Sequence, residues 1–320
     1  VCACSGISRR DLPMIFEQKT SAQDLENQVA QYVPTTKFGE TFQYQNQLVA
    51  LAGFFAANSF TKSADMRANY NEVMKREIFV PLGMAQTTVA FEEGLRSKNR
   101  AVSHGRELFG ENKPFPQSWE RMVVPVAPAG AVWSNAHDLG LYLVHEMQEG
   151  VAADGKRVVS AENLKKRWEK QVAAGPTTYY GLGWGAGTSR GLRFIDHGGA
   201  VLGMVSKLTF VPEKKFGIAI VGNGDSRYPV TKQIIDKLLT LVFGAKDVTE
   251  ENRKVLLDGY AYEKTQEKAE LGDTKDQAWS KRFEGTYFDR EIGNVRIARV
   301  GRDIVMDVGE WKSKLLPRIF

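Results

Sequence analysis

Cysteine is nearly absent: Cys2 and Cys4 are the only two in 320 residues. Two cysteines and four scattered histidines supply too few ligands for a structural metal site, so no metal and no cofactor is expected. A spacing of two residues is read as unfavourable for a mutual disulfide, and both thiols are expected as small buried or half-buried groups. Long apolar runs are missing too. The longest, Leu48 to Ala57, has ten residues, whereas a spanning helix needs about twenty, which leaves no membrane span. The chain lacks an initiating Met, a charged leader and an apolar leader core, so Val1 is expected to start inside a domain. The formal charge of +5 comes from 43 basic and 38 acidic residues that alternate without a basic block, which argues against nucleic acid as a partner. Neither a repeat nor a low-complexity segment is apparent.

What remains is ordinary globular composition, 42% hydrophobic and 25% charged, with enough length for one large core and a small second domain. The pattern is mixed. "FGETFQYQNQLVALAGFFAA" (Phe38 to Ala57) has a glycine turn, an extended piece ending at Asn46, and then a helix apolar nearly all round, as in a buried helix. A second helix is expected over Ser63 to Phe79 with Ser63 as its cap, stopped by Pro81 and Gly83. Ser103 to Pro128 reads as loop, and a third helix follows with Ser134 as cap and Leu139, Leu141, Tyr142 and Leu143 on its buried side. His137 and His145 lie eight apart on it, more than two turns, which speaks against shared ligand duty.

From Tyr179 the period changes. "YYGLGWGAG", "LRFIDHGG", "MVSKLTFVP" and "FGIAIVGN" are short β-rich runs divided by turns, the spacing of an antiparallel meander. The glycines of "HGGAVLG" (His197 to Gly203) mark backbone that something approaches closely. A helix over Val230 to Phe243 follows. Lys246 to Gln277 is a charged linker or solvated helix, and three short strands then begin a second β domain. The boundaries read as 1–245, 246–278 and 279–320.

Ser59 and Lys62 in "NSFTKS" have the Ser-x-x-Lys spacing of a nucleophile and its proton acceptor. Fifteen serines and 23 lysines predict roughly one such match by chance, and one is found. The pair falls between two expected helices instead of on one turn, so a solvated connection is the better reading. "GNGDS" (Gly222 to Ser226) reads as a tight turn and not a hydrolase elbow. Asp196 and His197 are strand neighbours facing opposite ways, which excludes a triad pair.

In order, "CACSGISR", "FGETFQYQN", "FVPLGM", "PAGAVWSNAHDL", "YGLGW" and "HGGAVLGMVSKLTFVPEKKFGIAIVGN" resemble the landmarks of the serine β-lactamase-related family, which includes class C β-lactamases, DD-peptidases, D-aminopeptidases and esterases. The resemblance covers Val1 to about Phe243, and Phe283 to Phe320 is similar to the lipocalin-like small β domain that often follows. It implies an α/β (α+β) fold: an antiparallel sheet flanked by helices with a helical subdomain. Tyr44 and Asn46 match the family's Tyr-x-Asn, which implies a phenol that relays a proton and an amide that orients the substrate. A phenol, with an ordinary pKa of about 10, becomes a base near neutrality only beside a positive charge. His197, Gly198 and Gly199 match the third motif, and the Ala200 N–H would be an oxyanion donor. In relatives the Ser-x-x-Lys helix precedes the segment that resembles "CACSGISR". The nucleophile is therefore expected upstream of Val1, with the missing segment possible as a separate chain.

The resemblance implies a serine hydrolase acting on a small-molecule ester, amide or peptide through an acyl-enzyme, periplasmic or secreted. Alternatives are an inactive module that binds acyl groups or peptides, and catalysis by Ser59 and Lys62 through another topology. His in place of Lys at the third motif leans toward an esterase or peptidase, because Lys is a permanent carboxylate partner and His is not.

Overall fold

The computed structural model describes residues 2–16, 19–61, 63–106, 112–189, 191–224, 230–271 and 278–318. Lys62, Asp225, Ser226 and residues 272–277 of the charged linker lie outside the described residues. The helices in chain order are α1 (Leu12–Phe16), α2 (Ala22–Val29), α3 (Asn46–Phe60), α4 (Met66–Val73) and α5 (Phe91–Arg96). Then come α6 (Ala127–Gly130), α7 (Ala136–Met147), α8 (Ala161–Lys166), α9 (Val230–Phe243) and α10 (Thr249–Ala269). Two short strands, β1 (His104–Arg106) and β2 (Asn112–Pro114), precede a six-stranded sheet. That sheet is β3 (Val172–Ala173), β4 (Thr178–Tyr180), β5 (Gly185–Ser189), β6 (Leu192–Val201), β7 (Met204–Val211) and β8 (Phe216–Gly222). A four-stranded sheet closes the chain: β9 (Gly285–Asp289), β10 (Gly293–Val300), β11 (Asp303–Asp307) and β12 (Lys312–Leu315). The fold is mixed α and β with antiparallel sheets, as the sequence pattern implies.

The chain forms two compact units. The first comprises Val1–Arg10, Thr20–Gly105 and Pro114–Asp225. Its sheet is a meander in the order β3-β4-β5-β6-β7-β8, every pair antiparallel. On one face Ala186, Ile195 and Phe210 are buried under Leu143 of α7, Leu164 of α8, Trp168 and Trp184. Ile195 and Phe210 are direct cross-strand partners and fully buried, each contributing about 1.5 to 3 kcal/mol of burial. Glu146 of α7 is also fully buried, and Trp168 Nε1 donates to it at 3.0 Å while Arg167 Nη2 donates to its other oxygen. The carboxylate ties α7 to α8 through charge-assisted bonds.

In the helical part α3 buries Ala50, Leu51, Phe54 and Ala57, and Phe54 meets Tyr70 of α4 edge-on at 5.9 Å. α3 runs to Phe60, beyond the expected end near Asn58. α4 is capped by Asp65, not Ser63: the Asp65 carboxylate accepts from Arg67 N and Ala68 N, each at 3.0 Å, and a π-helical turn over Met74–Phe79 extends it. Ser63 Oγ accepts from Asp65 N instead. α7 starts one residue later than expected, with Asn135 accepting from Asp138 N at 2.9 Å, while Ser134 Oγ lies 2.8 Å from Thr87 Oγ1.

The cysteines also depart from expectation. Cys2 and Cys4 are joined in a disulfide with Cα atoms 5.2 Å apart. An extended three-residue stretch would hold them about 6.4 to 6.8 Å apart, but Ala3 takes a left-handed φ of 51° and folds the chain between them. The second unit comprises Asp11–Lys19, Arg106–Lys113 and Ser226–Phe320. Its sheet has four strands where three were expected, in the order β12-β11-β10-β9, and Phe16 of α1 packs on Trp311 at 5.2 Å. Among the described residues no helix is long and apolar enough to cross a membrane.

Candidate active site

β6 is longer than the strand beside it, and that mismatch creates an opening. β5 pairs with β6 only as far as Asp196, whereas β7 continues to pair through Val201. From His197 onward one edge of β6 has no β5 partner, and alternate backbone N–H groups of a strand point off such an edge. Gly198, Gly199 and Ala200 are exposed there. A β-carbon at Gly199 would come within 2.7 Å of Ser206 Oγ, so a larger residue there would require that hydroxyl to turn away.

The extended stretch before α3 carries Tyr44. Its backbone is held from the amino-terminal segment: Gln43 N donates to Ala3 O and Gly39 N to Cys4 O, both at 2.7 Å. Ala3, Cys4, Val172 and Tyr180 form a small core against which Cys2, Phe42 and Tyr44 pack. Asn46 is the first residue of α3, behind the capping Gln45 whose side chain accepts from Gln47 N at 2.8 Å.

These elements bring three rings together. The Tyr44 and His197 centroids are 6.3 Å apart, Tyr44 and Tyr180 are 6.1 Å apart and perpendicular, and Tyr180 and His197 are 6.1 Å apart. The Arg9 guanidinium lies 5.7 Å from the Tyr44 ring centre. Tyr180 Oη and His197 Nε2 are 3.0 Å apart. Burial pushes the Tyr180 hydroxyl well above its ordinary value, and the Tyr44 charge adds to that shift, so Tyr180 stays a phenol. Burial lowers the His197 pKa; Asp196 opposes the shift, Lys207 adds to it, and a hydrogen bond from the ring to the Gly198 backbone opposes it. With its pKa held below the ordinary value, the imidazole is neutral at pH 7 and shares a hydrogen bond with the Tyr180 hydroxyl.

Asp196 pairs with Lys207 and not with the adjacent His197. Both charges line an open groove of about 410 Å³ that Tyr180, His197 and Gly198 also line. Ser59 is elsewhere: its Oγ donates to Ala56 O at 2.7 Å in the last turn of α3. Thirteen residues at 1.5 Å each put it about 20 Å along the helix from Asn46. Tyr180 had no assigned role in the sequence reading, although "YGLGW" stood among the landmarks. Its hydrogen bond spans 17 residues and follows from the pairing of β4, β5 and β6. No group of three or more His, Cys, Asp or Glu among the described residues is arranged to hold a metal ion.

Comparison with known proteins bears on this arrangement. A family model described as Beta-lactamase matches residues 2–239. A curated relative, Penicillin-binding protein 4 of Amycolatopsis lactamdurans, is 32% identical over 162 residues, which are 49% of this chain and 42% of the relative. The chain thus spans about two fifths of that relative's length. Among solved structures, the octameric penicillin-binding protein homologue from Pyrococcus abyssi superposes with a TM-score of 0.63 at 20% identity, covering 98% of this chain and 67% of that one. A class C β-lactamase gives 0.57 at 16% identity over 77% and 68%. The D-amino acid amidase from Ochrobactrum anthropi SV3, solved with D-phenylalanine, gives 0.55 at 20% identity over 75% of each chain.

Proposed function

We propose, for a chain that belongs to the β-lactamase family, that it carries the proton-relay and oxyanion side of a serine hydrolase site cleaving an ester or amide through an acyl-enzyme. The observation that carries this reading is the grouping of Tyr44, Tyr180 and His197 within about 6 Å of one another beside the unpaired edge of β6. Tyr44 takes the proton from the attacking hydroxyl and returns it to the leaving group. Asn46, two residues on, orients the substrate. The Ala200 N–H faces the developing oxyanion across the edge kept open by Gly198 and Gly199, a contribution of about 2.7 to 4 kcal/mol for one such donor. His197 closes the wall, and Tyr180 is the positioning residue that fixes its ring.

The nucleophilic serine and its lysine belong, in this proposal, to a segment outside the present sequence. Ser59 is poorly suited to the role, since it bonds its own helix and sits about 20 Å along α3 from Asn46. A neutral His197 at the third motif favours an ester or a D-amino-acid amide. The likeness to penicillin-binding proteins and the Cys2–Cys4 disulfide both suit an oxidising compartment, periplasmic or secreted.

A fluorophosphonate or penicillin probe tests the assignment. Covalent labelling is expected only when the upstream segment is supplied, and Tyr44→Phe should slow it by a factor of about 100 or more, the usual scale for a proton-transfer group. Labelling of Ser59 would overturn the reading. No labelling with the segment present would leave the binding-only module, whose support is the same groove without a nucleophile.

A further inference from the structure

The amino-terminal segment does more than support Tyr44 through the small core. It is laced to residues 35–45 along its length: Ala3 O and Cys4 O accept from Gln43 N and Gly39 N, and Gly6 O accepts from Thr35 N at 2.7 Å and Thr36 N at 3.3 Å. Gly6 takes a φ of 84°, and a β-carbon there would collide with Thr36 O, so this approach is one that glycine permits. The lacing ends at Ser8, whose carbonyl accepts from Nε2 of the buried cap Gln45 at 3.4 Å. Arg9 and Tyr44 are the chain neighbours of that joined pair, and the Arg9 guanidinium lies over the Tyr44 ring, 5.7 Å from its centre. Arg10 lies instead against the Tyr32 ring, at 4.8 Å.

We propose that Arg9 is a positioning residue of this site: its guanidinium supplies, from within this chain, the positive charge that favours the ionised form of Tyr44. The inference rests on the reading of Tyr44 as the proton relay. An opposite charge within about 4 to 6 Å favours the charged form of a phenol. The ionisable rings set against Tyr44 do not supply one, since Tyr180 stays a phenol and the His197 imidazole is neutral at pH 7. Cys2 and Cys4, which also pack there, are joined in a disulfide and carry no charge. Lys207 is charged but pairs with Asp196, and the alternation of β6 and β7 puts that pair on the face of the sheet opposite His197. A guanidinium keeps its charge at every pH at which a tyrosine titrates. Arg9 is exposed, so solvent weakens its field without removing it.

The chain with its tyrosines isotope-labelled at Cζ tests this, the Tyr44 resonance being assigned through Tyr44→Phe and followed from about pH 7 to 11. In Arg9→Gln the Tyr44 titration midpoint should rise by about one pH unit, Arg9→Lys should restore most of it, and Arg9→Glu should raise it further. The gap between the native chain and Arg9→Gln should shrink in about 1 M NaCl, which a role for Arg9 in packing alone would not produce. With the upstream segment supplied, the rising limb of the probe-labelling pH profile should move with the midpoint, giving about tenfold slower labelling near neutral pH in Arg9→Gln. A Tyr44 midpoint unchanged in Arg9→Gln would overturn this inference and leave the relay reading standing. A midpoint that moves while the labelling profile stays fixed would overturn both.

Discussion

The β3–β8 sheet and the β9–β12 sheet are both antiparallel and both follow chain order, yet they treat their apolar side chains differently. In the first, Ile195 and Phe210 are fully buried beneath α7 and α8. In the second, every residue of β9 is exposed and Phe288 is 74% open to solvent, with Ile304 of β11 and Val308 its buried aliphatics. A sheet face is stabilised by whatever layer covers it, not by its hydrogen-bond ladder alone. A packed helical backing helps to hold a ring and its hydrogen-bond partner in fixed geometry, and His197 and Tyr180 lie in the sheet that has one.

The contrast is sharpest under truncation. Phe210→Ala should cost about 3 to 5 kcal/mol in urea unfolding, the transfer loss plus a cavity between Trp168 and Trp184, which pack on it at 5.2 and 5.3 Å. A cost below about 1 kcal/mol would mean the helical backing is not a packed layer. Glu146→Gln tests the polar tie in the same core. It leaves Arg167, a third exposed, without its counter-charge, and about 2 kcal/mol is expected, below the figure for fully buried pairs because solvent screens the guanidinium; an unchanged midpoint would remove the tie from the account.

A smaller effect should appear with pH. Burial lowers the pKa of His145 on α7, with Arg167 and Arg157 acting in the same direction and Glu146 against it. The unfolded chain, with its histidine near 6.5, then binds more protons than the folded one below that pH, so stability falls as the solution is acidified from about pH 6.5. His145→Gln should flatten that segment of the profile, read as melting temperature between pH 7.5 and 5; an identical slope in both proteins would exclude His145 as a source. The smallest effect belongs to the other sheet, where Phe288→Ser should stay within about 0.5 kcal/mol. A cost of several kcal/mol there would erase the difference between the two sheets.

The elements that could be read in advance are those set by local pattern. α9 runs over Val230–Phe243 as its apolar spacing predicts, and the strands from Leu192, Met204 and Phe216 match the alternating runs between glycine turns. Helix starts were less legible. Ser63, Asp65, Ser134 and Asn135 are all good caps, and the choice depends on which side chain the incoming backbone aims at the free N–H groups. The Tyr-x-Asn and His-Gly-Gly segments were singled out by resemblance to a family, not by periodicity, and the structure sets Tyr44 beside His197 although 153 positions separate them. Tyr180 and Lys207 lie in segments that carry the resemblance, but neither pattern gave them a role. A tyrosine in a glycine-rich run and a lysine in a strand look ordinary until the register assigns their neighbours.

The amino-acid sequence by itself determined the strongly patterned elements, α3, α4, α7 and α9 and the strands β6, β7 and β8, because periods of 3.6 and 2 and the glycine turns are properties of neighbouring residues. The tertiary structure alone decided that Ala3 folds back to join Cys2 to Cys4, that Tyr180 meets His197, and that Lys207 takes Asp196. Each of those depends on backbone handedness or strand register, and a shift of one residue in a strand would turn every side chain to the other face.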